Sequence, residues 1–126
     1  RLQRAGVRVI LVSGGLREAI VPLARQVGVA DGDLYAVGIR FDEKGRYAGF
    51  ESDSPLATQG GKPDLVRTLA LPAPMLAVGD GSTDAAIRAV AAAFAAYTGF
   101  VRRDPVVAVA DHVIDSFARL EALVLP

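Results

Sequence analysis

Two aspartates lie close together in GDGSTD, residues 79–84, directly after the short apolar run 75–78. The carboxylates of Asp80 and Asp84 are hard oxygen ligands of the kind that suits Mg²⁺. Gly79 and Gly81 would let a metal and its substrate approach the backbone. The segment is equally typical of a helix start, in which Asp80 caps the helix and Asp84 complements its dipole.

Two other polar turns have residue types that can bind a phosphate. Ser13, Gly14 and Gly15 follow the apolar run 7–12 and offer a hydroxyl and backbone amides to phosphate oxygens. The same residues are also typical of a helix cap and a chain turn. Lys62 follows a glycine pair and could reach a phosphoryl oxygen as a point charge, although a single lysine is more often a solvated surface residue.

Strands and helices must position these turns, and the sequence alternates between the two. Short apolar runs predict buried strands, and apolar residues at helical spacing predict helices between them. The predicted strands are residues 7–12, 75–78, 95–98 and 113–114, and the predicted helices are residues 16–27, 63–71 and 83–90. Two further runs, residues 34–41 and 47–50, flank a charged glycine-containing loop and predict a hairpin.

Smaller features refine these predictions. Gly28 lies where the first helix should stop, and Pro22 suggests a kink or a late start in that helix. Asp115 is predicted to cap a C-terminal helix. The inward face of that helix is expected to carry Phe117, Leu120 and Leu123. The pair Arg102 and Arg103 is predicted to be solvated, unless its loop folds over the strand ends and contacts an anion.

The alternation indicates an α/β fold with a mostly parallel sheet and an antiparallel hairpin. In open α/β sheets, ligands bind at the carboxyl ends of the strands. Ser13, Lys62 and the pair Asp80 and Asp84 each lie at or near a strand-to-helix junction. Together they would supply a hydroxyl, an ammonium group and Mg²⁺ around one phosphoryl group.

Composition limits the classes of function. The 126 residues suffice for one small domain, and 14 basic against 14 acidic side chains give no sign of a nucleic-acid-binding surface. No apolar run has the length of a membrane span, and the absence of cysteine excludes a disulfide framework. These properties fit a cytoplasmic protein.

The ordered motifs resemble those of the haloacid-dehalogenase-like phosphohydrolase superfamily, and within it the phosphoserine phosphatases. Residues 9–13, followed by Gly14 and Gly15, resemble the superfamily's second motif. Residues 60–62 resemble its third motif, and residues 79–84 resemble its fourth. Residues 34–62 also resemble that family's hairpin and loop. The resemblance implies a three-layer, Rossmann-like core that covers residues 1–126.

The resemblance also implies roles for individual residues. Ser13 would bind the transferring phosphoryl group, with Gly14 and Gly15 offering amides. Lys62 would neutralise its charge, and Thr83 would lie near the substrate. Asp80 would bind Mg²⁺, and Asp84 would support the metal site or orient Lys62. The implied reaction is the magnesium-dependent hydrolysis of phosphoserine, with another small phosphate ester, or phosphate or partner binding without turnover, as alternatives.

The chain departs from the family pattern at its start. The family's first motif, Asp-x-Asp-x-Thr on the first strand, and its helical cap domain are absent from residues 1–126. By resemblance, the nucleophile and the general acid are expected upstream of Arg1. Because the family's first strand lies between the strands 7–12 and 75–78, we expect these two to pair directly, across a homodimer, or through an exchanged strand.

Overall fold

The computed structural model describes all 126 residues. The chain divides into two compact units, which are described separately here. The smaller unit is residues 8–61, and the larger unit is residues 1–7 together with 62–126. The single domain expected from the length of the chain stays a prediction.

The smaller unit is built on a β-α-β segment. Strand β1, Leu11–Leu16, is followed by helix α1, Arg17–Gln26, and strand β2, Leu34–Val37, pairs with β1 in parallel. Helix α1 packs on these strands through Ile20, Val21 and Ala24, which lie on one face because Ala24 follows the other two by four and three residues. The buried core of the unit consists of Ala24, Val29 and Leu34, with Val9, Leu11, Ile20, Val21 and Ala36 packed against it.

The prediction of a first strand over residues 7–12 is wrong at both ends, because β1 begins at Leu11 and includes Ser13, Gly14 and Gly15. The register with β2 is irregular between Val12 and Leu16, so these residues form an irregular stretch of strand and not a turn. The Ser13 hydroxyl accepts a hydrogen bond from the Gly15 N–H at 3.0 Å. Ser13 therefore does not cap α1, whose N-cap is Leu16.

The predicted end of the first helix near Gly28 is confirmed. The helix does not start late, as Pro22 had suggested it could. Gly28 adopts a left-handed conformation with φ of 76°, which ends the helix at little steric cost for glycine. The helix begins at Arg17 and contains Pro22.

The hairpin is confirmed, but its first arm is shorter than predicted. Strand β3, Ile39–Phe41, pairs antiparallel with β4, Tyr47–Phe50. Residues 34–41 are therefore two strands and not one, with the break at Gly38.

Two carboxylates explain the break at Gly38. The Gly38 N–H donates to Glu51 at 3.1 Å, and the Ile39 N–H donates to Glu18 at 3.1 Å. These two side chains take backbone donors that a continuous strand would give to a neighbouring strand. A Cβ at Gly38 would also lie 2.8 Å from the Glu51 carboxyl carbon, so a larger residue here would require the Glu51 carboxylate to shift.

The larger unit is a parallel three-stranded sheet with four helices. The sheet order is β5-β6-β7, and all its neighbours are parallel. Its strands are β5, Leu76–Gly79, β6, Ala93–Tyr97, and β7, His112–Ile114. Its helices are α2, Gly61–Thr68, α3, Ser82–Ala85, α4, Asp104–Ala108, and α5, Phe117–Val124. The central strand is the most buried, and Phe94, Ala95 and Ala96 are each at most 1% exposed.

Three details of this unit correct the predictions. The helix predicted over residues 83–90 is only α3, which continues as a 3₁₀ turn, Ala86–Ala89. Ser116, and not Asp115, caps α5, because its hydroxyl accepts from the Arg119 N–H. Phe117 is 72% exposed and Leu123 is 38% exposed, so the predicted inward face of α5 is wrong at both positions.

The predicted direct pairing of residues 7–12 with 75–78 is also wrong. Strand β1 is paired with β2 alone, and β5 is paired with β6 alone, so each lies at the edge of its own sheet. Pairing across a homodimer or through an exchanged strand stays a prediction.

Asp111 ties the start of β6 to its neighbours, and we expect it to make stability depend on pH. It accepts two hydrogen bonds from Arg88, at 3.0 and 2.7 Å, and one from the Phe94 N–H at 2.9 Å. The Arg88 contacts, followed by the Phe94 bond, lower the pKa of Asp111 from 3.8 to about 2. A lowered pKa stabilises the fold above the ordinary carboxyl pKa, and this stabilisation is lost as the pH falls through the folded-state value.

The variant Asp111→Asn should therefore unfold at lower urea concentration near neutral pH and should lose less stability than the parent on acidification. Urea denaturation at about pH 7 and about pH 3 measures both effects. Asp64→Asn is the matched control, because Asp64 is exposed and pairs only with Arg67 in the same helix. An identical pH dependence of parent and Asp111→Asn would contradict this role.

Candidate active site

A cleft opens at the carboxyl end of β5, where the larger unit gathers four of the predicted site residues. Its volume is about 660 Å³. The side chains that line it include Lys62, Asp80, Thr83, Asp84, Arg103 and Val106. The cleft lies where parallel α/β sheets bind their ligands.

Lys62 and Asp84 form the least exposed ion pair at the cleft. Lys62 Nζ lies 2.5 Å from Asp84 Oδ1, and the two side chains are 14% and 18% exposed. The other oxygen of Asp84 accepts from the N–H of Gly81, the N-cap residue of α3, at 3.1 Å. Because both carboxylate oxygens are engaged, Asp84 fixes the ammonium group, which keeps further N–H donors for a ligand.

The backbone of β5 approaches Asp84 more closely than any residue with a side chain could. A Cβ added at Gly79 would lie 2.2 Å from Cβ of Asp84, far inside van der Waals contact. A Cβ at Gly81 would lie 3.4 Å from Asp84 Oδ2, which is ordinary contact. Of the two glycines, Gly79 is therefore the one whose missing side chain makes room for Asp84.

Asp80 is paired with Arg103, a contact that the sequence analysis did not predict. One guanidinium nitrogen of Arg103 donates to the Asp80 carboxylate and also to its backbone carbonyl at 3.1 Å. Asp80 and Arg103 are 52% and 46% exposed, so this pair is far more open to solvent than Lys62 and Asp84. Of the two possibilities predicted for the arginine pair, Arg103 follows the second, because it contacts an anion, the Asp80 carboxylate, at the end of β5.

Helix α4, which carries Arg103 as its N-cap, was not predicted either. A signal for it exists in the sequence, because Asp104 and Pro105 are typical of a first helical turn. Val106 is 4% exposed and anchors the helix in the core. Arg103 thereby comes to lie beside the end of β5, 23 residues away from Asp80 in sequence.

The donor chemistry fits Mg²⁺ only in a hydrated form. No group of three or more acidic, histidine or cysteine side chains that could enclose a metal ion is present. Mg²⁺ commonly keeps several waters and binds through one or two carboxylates plus substrate phosphates. Asp80, which is half exposed, would be the residue to hold it, whereas both oxygens of Asp84 already have partners.

The remaining predicted residues are distributed between the two units. Thr83 lies in α3 and lines the cleft. Ser13, Gly14 and Gly15 lie in β1 of the smaller unit, where a Cβ at Gly14 would be 3.3 Å from the Leu56 carbonyl oxygen. The structure thus brings Lys62, Asp80, Thr83 and Asp84 together, and the phosphate-binding role of Ser13, Gly14 and Gly15 stays a prediction.

Comparison with known proteins gives the relationship. The chain is 33% identical over 125 residues to the chloroplastic phosphoserine phosphatase of Arabidopsis thaliana, covering 95% of this chain and 42% of that protein. It is also 33% identical over 123 residues to the phosphoserine phosphatase of Bos taurus, covering 95% of this chain and 55% of that protein. This chain is related to the phosphoserine phosphatases of the haloacid-dehalogenase-like superfamily.

Solved structures confirm the haloacid-dehalogenase-like α/β fold. A phosphoserine phosphohydrolase-like protein from Francisella tularensis matches with a TM-score of 0.84 and 24% identity, over 98% of this chain and 58% of that one. A phosphoserine phosphatase in its apo form matches with a TM-score of 0.71 and 21% identity, over 99% of this chain and 62% of that one. The chain spans about half the length of the phosphoserine phosphatases with which its sequence aligns.

No protein-family model matches the chain. None of its helices is both long enough and apolar enough to cross a membrane.

Proposed function

We propose that this chain forms part of a magnesium-dependent phosphomonoester hydrolase that converts phosphoserine and water into serine and phosphate. The observation that carries the proposal is the ion pair of Lys62 and Asp84 beside the half-exposed carboxylate of Asp80, at the carboxyl end of a parallel strand. The names of the related phosphoserine phosphatases support the reaction and its substrate.

Each of the predicted site residues has a defined part in this proposal. Lys62 faces the phosphoryl group and neutralises the charge that grows on its oxygens during transfer. Asp84 orients Lys62 through its 2.5 Å contact. Thr83 lies near the substrate, and Ser13 with Gly14 and Gly15 contributes phosphate contacts, as the family resemblance implies.

Asp80 is the proposed Mg²⁺ ligand. When bound, the ion would polarise a phosphoryl oxygen as a Lewis acid and help to hold the substrate in place. The nucleophile is assigned to no residue of this chain, because the family motif that carries it is not among residues 1–126.

The test is a phosphate-release assay of the full-length protein with phosphoserine, in the presence of Mg²⁺ and after chelation. We expect hydrolysis that chelation removes and that added Mg²⁺ restores. Asp80→Asn should lose the stimulation by Mg²⁺, because the variant lacks the charged ligand. Equal activity with and without the metal, or full stimulation in Asp80→Asn, would contradict the proposed site.

Two other functions have support of their own. Another small phosphate ester would be handled by the same cleft chemistry, so the assay should include a panel of such esters beside phosphoserine. The second alternative is a protein whose charged cleft binds phosphate or a partner without turnover. Phosphate binding with no hydrolysis of any ester in the full-length protein would establish that alternative.

A cytoplasmic location and pairing with a second copy stay predictions.

A further inference from the structure

We propose that Arg103 is a built-in counter-ion of Asp80 that competes with Mg²⁺ for the carboxylate, and that Arg103 thereby lowers the metal affinity of the site. This inference rests on the proposed function, because it takes Asp80 as the metal ligand. It assigns Arg103 a role as a positioning residue that acts on the metal site through Asp80.

Arg103 contacts Asp80 at two points. Arg103 donates to both the side chain and the backbone carbonyl of Asp80, so it holds the carboxylate in one orientation. A guanidinium group is charged at every accessible pH and cannot withdraw by losing a proton. Arg103 contacts one oxygen of the carboxylate, Oδ2. Mg²⁺ and Arg103 therefore compete for the negative charge of the same carboxylate, and displacement of the guanidinium favours binding of the ion.

Arg103 has a fixed backbone and a partly exposed side chain, so its guanidinium can move away from Asp80. Its backbone is fixed, because its carbonyl accepts from the Val106 and Val107 N–H groups at 3.0 Å at the start of α4. Its side chain is 46% exposed, so it has solvent into which it can move. The pair of Lys62 and Asp84 differs in this respect, because it is largely enclosed and would stay formed.

The neighbouring arginine provides a matched comparison. Arg102 pairs with Asp104, and both side chains are well exposed, at 59% and 86%. Removing Arg102 changes the net charge of this loop by the same amount as removing Arg103 but leaves the Asp80 carboxylate untouched. Any difference between the two variants therefore reports the direct contact and not the long-range field.

The expected size follows from the exposure of the pair. Ion pairs that are about half exposed have modest strength, so Arg103→Ala should tighten Mg²⁺ binding by about two- to fivefold. Arg103→Gln, which keeps most of the side-chain length without the charge, should behave in the same way. Arg102→Ala should bind Mg²⁺ as the parent does.

The experiment is a calorimetric titration of Mg²⁺ alone into the full-length protein and its variants, each first shown by thermal unfolding to be folded. Tighter binding in both Arg103 variants, with Arg102→Ala unchanged, is the expected result. Unchanged or weaker binding in either folded Arg103 variant, while Asp80→Asn binds poorly, would overturn the counter-ion role alone. Parent-like binding in Asp80→Asn would overturn the proposed metal site, and the counter-ion role with it.

Discussion

Lys62→Ala should reduce the rate of phosphoserine hydrolysis by about 10²–10³-fold, the usual effect of removing one preorganised donor from a developing oxyanion. The structure gives the reason for so large an effect. The ammonium group is only 14% exposed and is held at 2.5 Å by a carboxylate that is itself fixed by the Gly81 N–H. Water admitted by the alanine variant would have to reorganise during the reaction, whereas the fixed ammonium does not.

Steady-state kinetics with phosphoserine measure this effect, and kcat should fall more than KM rises if the charge acts mainly in the transition state. Lys44→Ala is the control, because Lys44 lies in the exposed hairpin loop of the smaller unit. A Lys62→Ala enzyme with the parent's rate would reduce Lys62 to a structural partner of Asp84.

The second large effect is expected from Gly79→Ala, which adds one methyl group. Its Cβ would lie 2.2 Å from Cβ of Asp84, so either β5 or α3 must shift. Overpacking of this kind destabilises a fold by about 1–3 kcal/mol. The shift would also move the carboxylate that orients Lys62, so hydrolysis should fall together with stability.

Urea denaturation measures the loss of stability, and phosphate release measures the loss of hydrolysis; both are measured on the same preparations. Gly81→Ala is the matched control, because its methyl group would lie 3.4 Å from Asp84 Oδ2 and needs no shift. We expect Gly81→Ala to change stability by less than about 1 kcal/mol, as a loss of cap preference alone would. Equal losses in the two variants would show that the close approach at Gly79 has no special importance.

The order and type of the main elements could be predicted because they depend on local patterns. Apolar runs gave β5 and β6 to within about two residues, and helical spacing followed by Gly28 gave α1. The break at Gly38 could not be predicted in this way, because it depends on Glu18 and Glu51, which are 21 and 13 residues from the backbone donors they bind. A run of residues carries no signal of a carboxylate that arrives from elsewhere in the chain.

The site was predicted to a similar extent and with a similar limit. The aspartate segment and Lys62 were identified from residue type and spacing, but only the structure shows that Asp84 contacts Lys62 across 22 residues of sequence. Ser13 was expected in a turn because glycines follow it, yet strand pairing resumes at Leu16 and keeps it in β1. For Arg103, solvent and contact with an anion both stayed open, because α4, which presents it, is a short helix with a weak pattern.

The one-to-one pairing of charges at the cleft has a thermodynamic consequence. Two cations, Lys62 and Arg103, face two anions, Asp80 and Asp84, so the cleft is electrically neutral before any ligand binds. A bound Mg²⁺ would bring an excess of two positive charges, which a phosphate monoester with nearly two negative charges would cancel. By linkage, each ligand would raise the affinity for the other by the same factor, so the presence of the phosphate monoester would lower the Mg²⁺ concentration needed to fill the site.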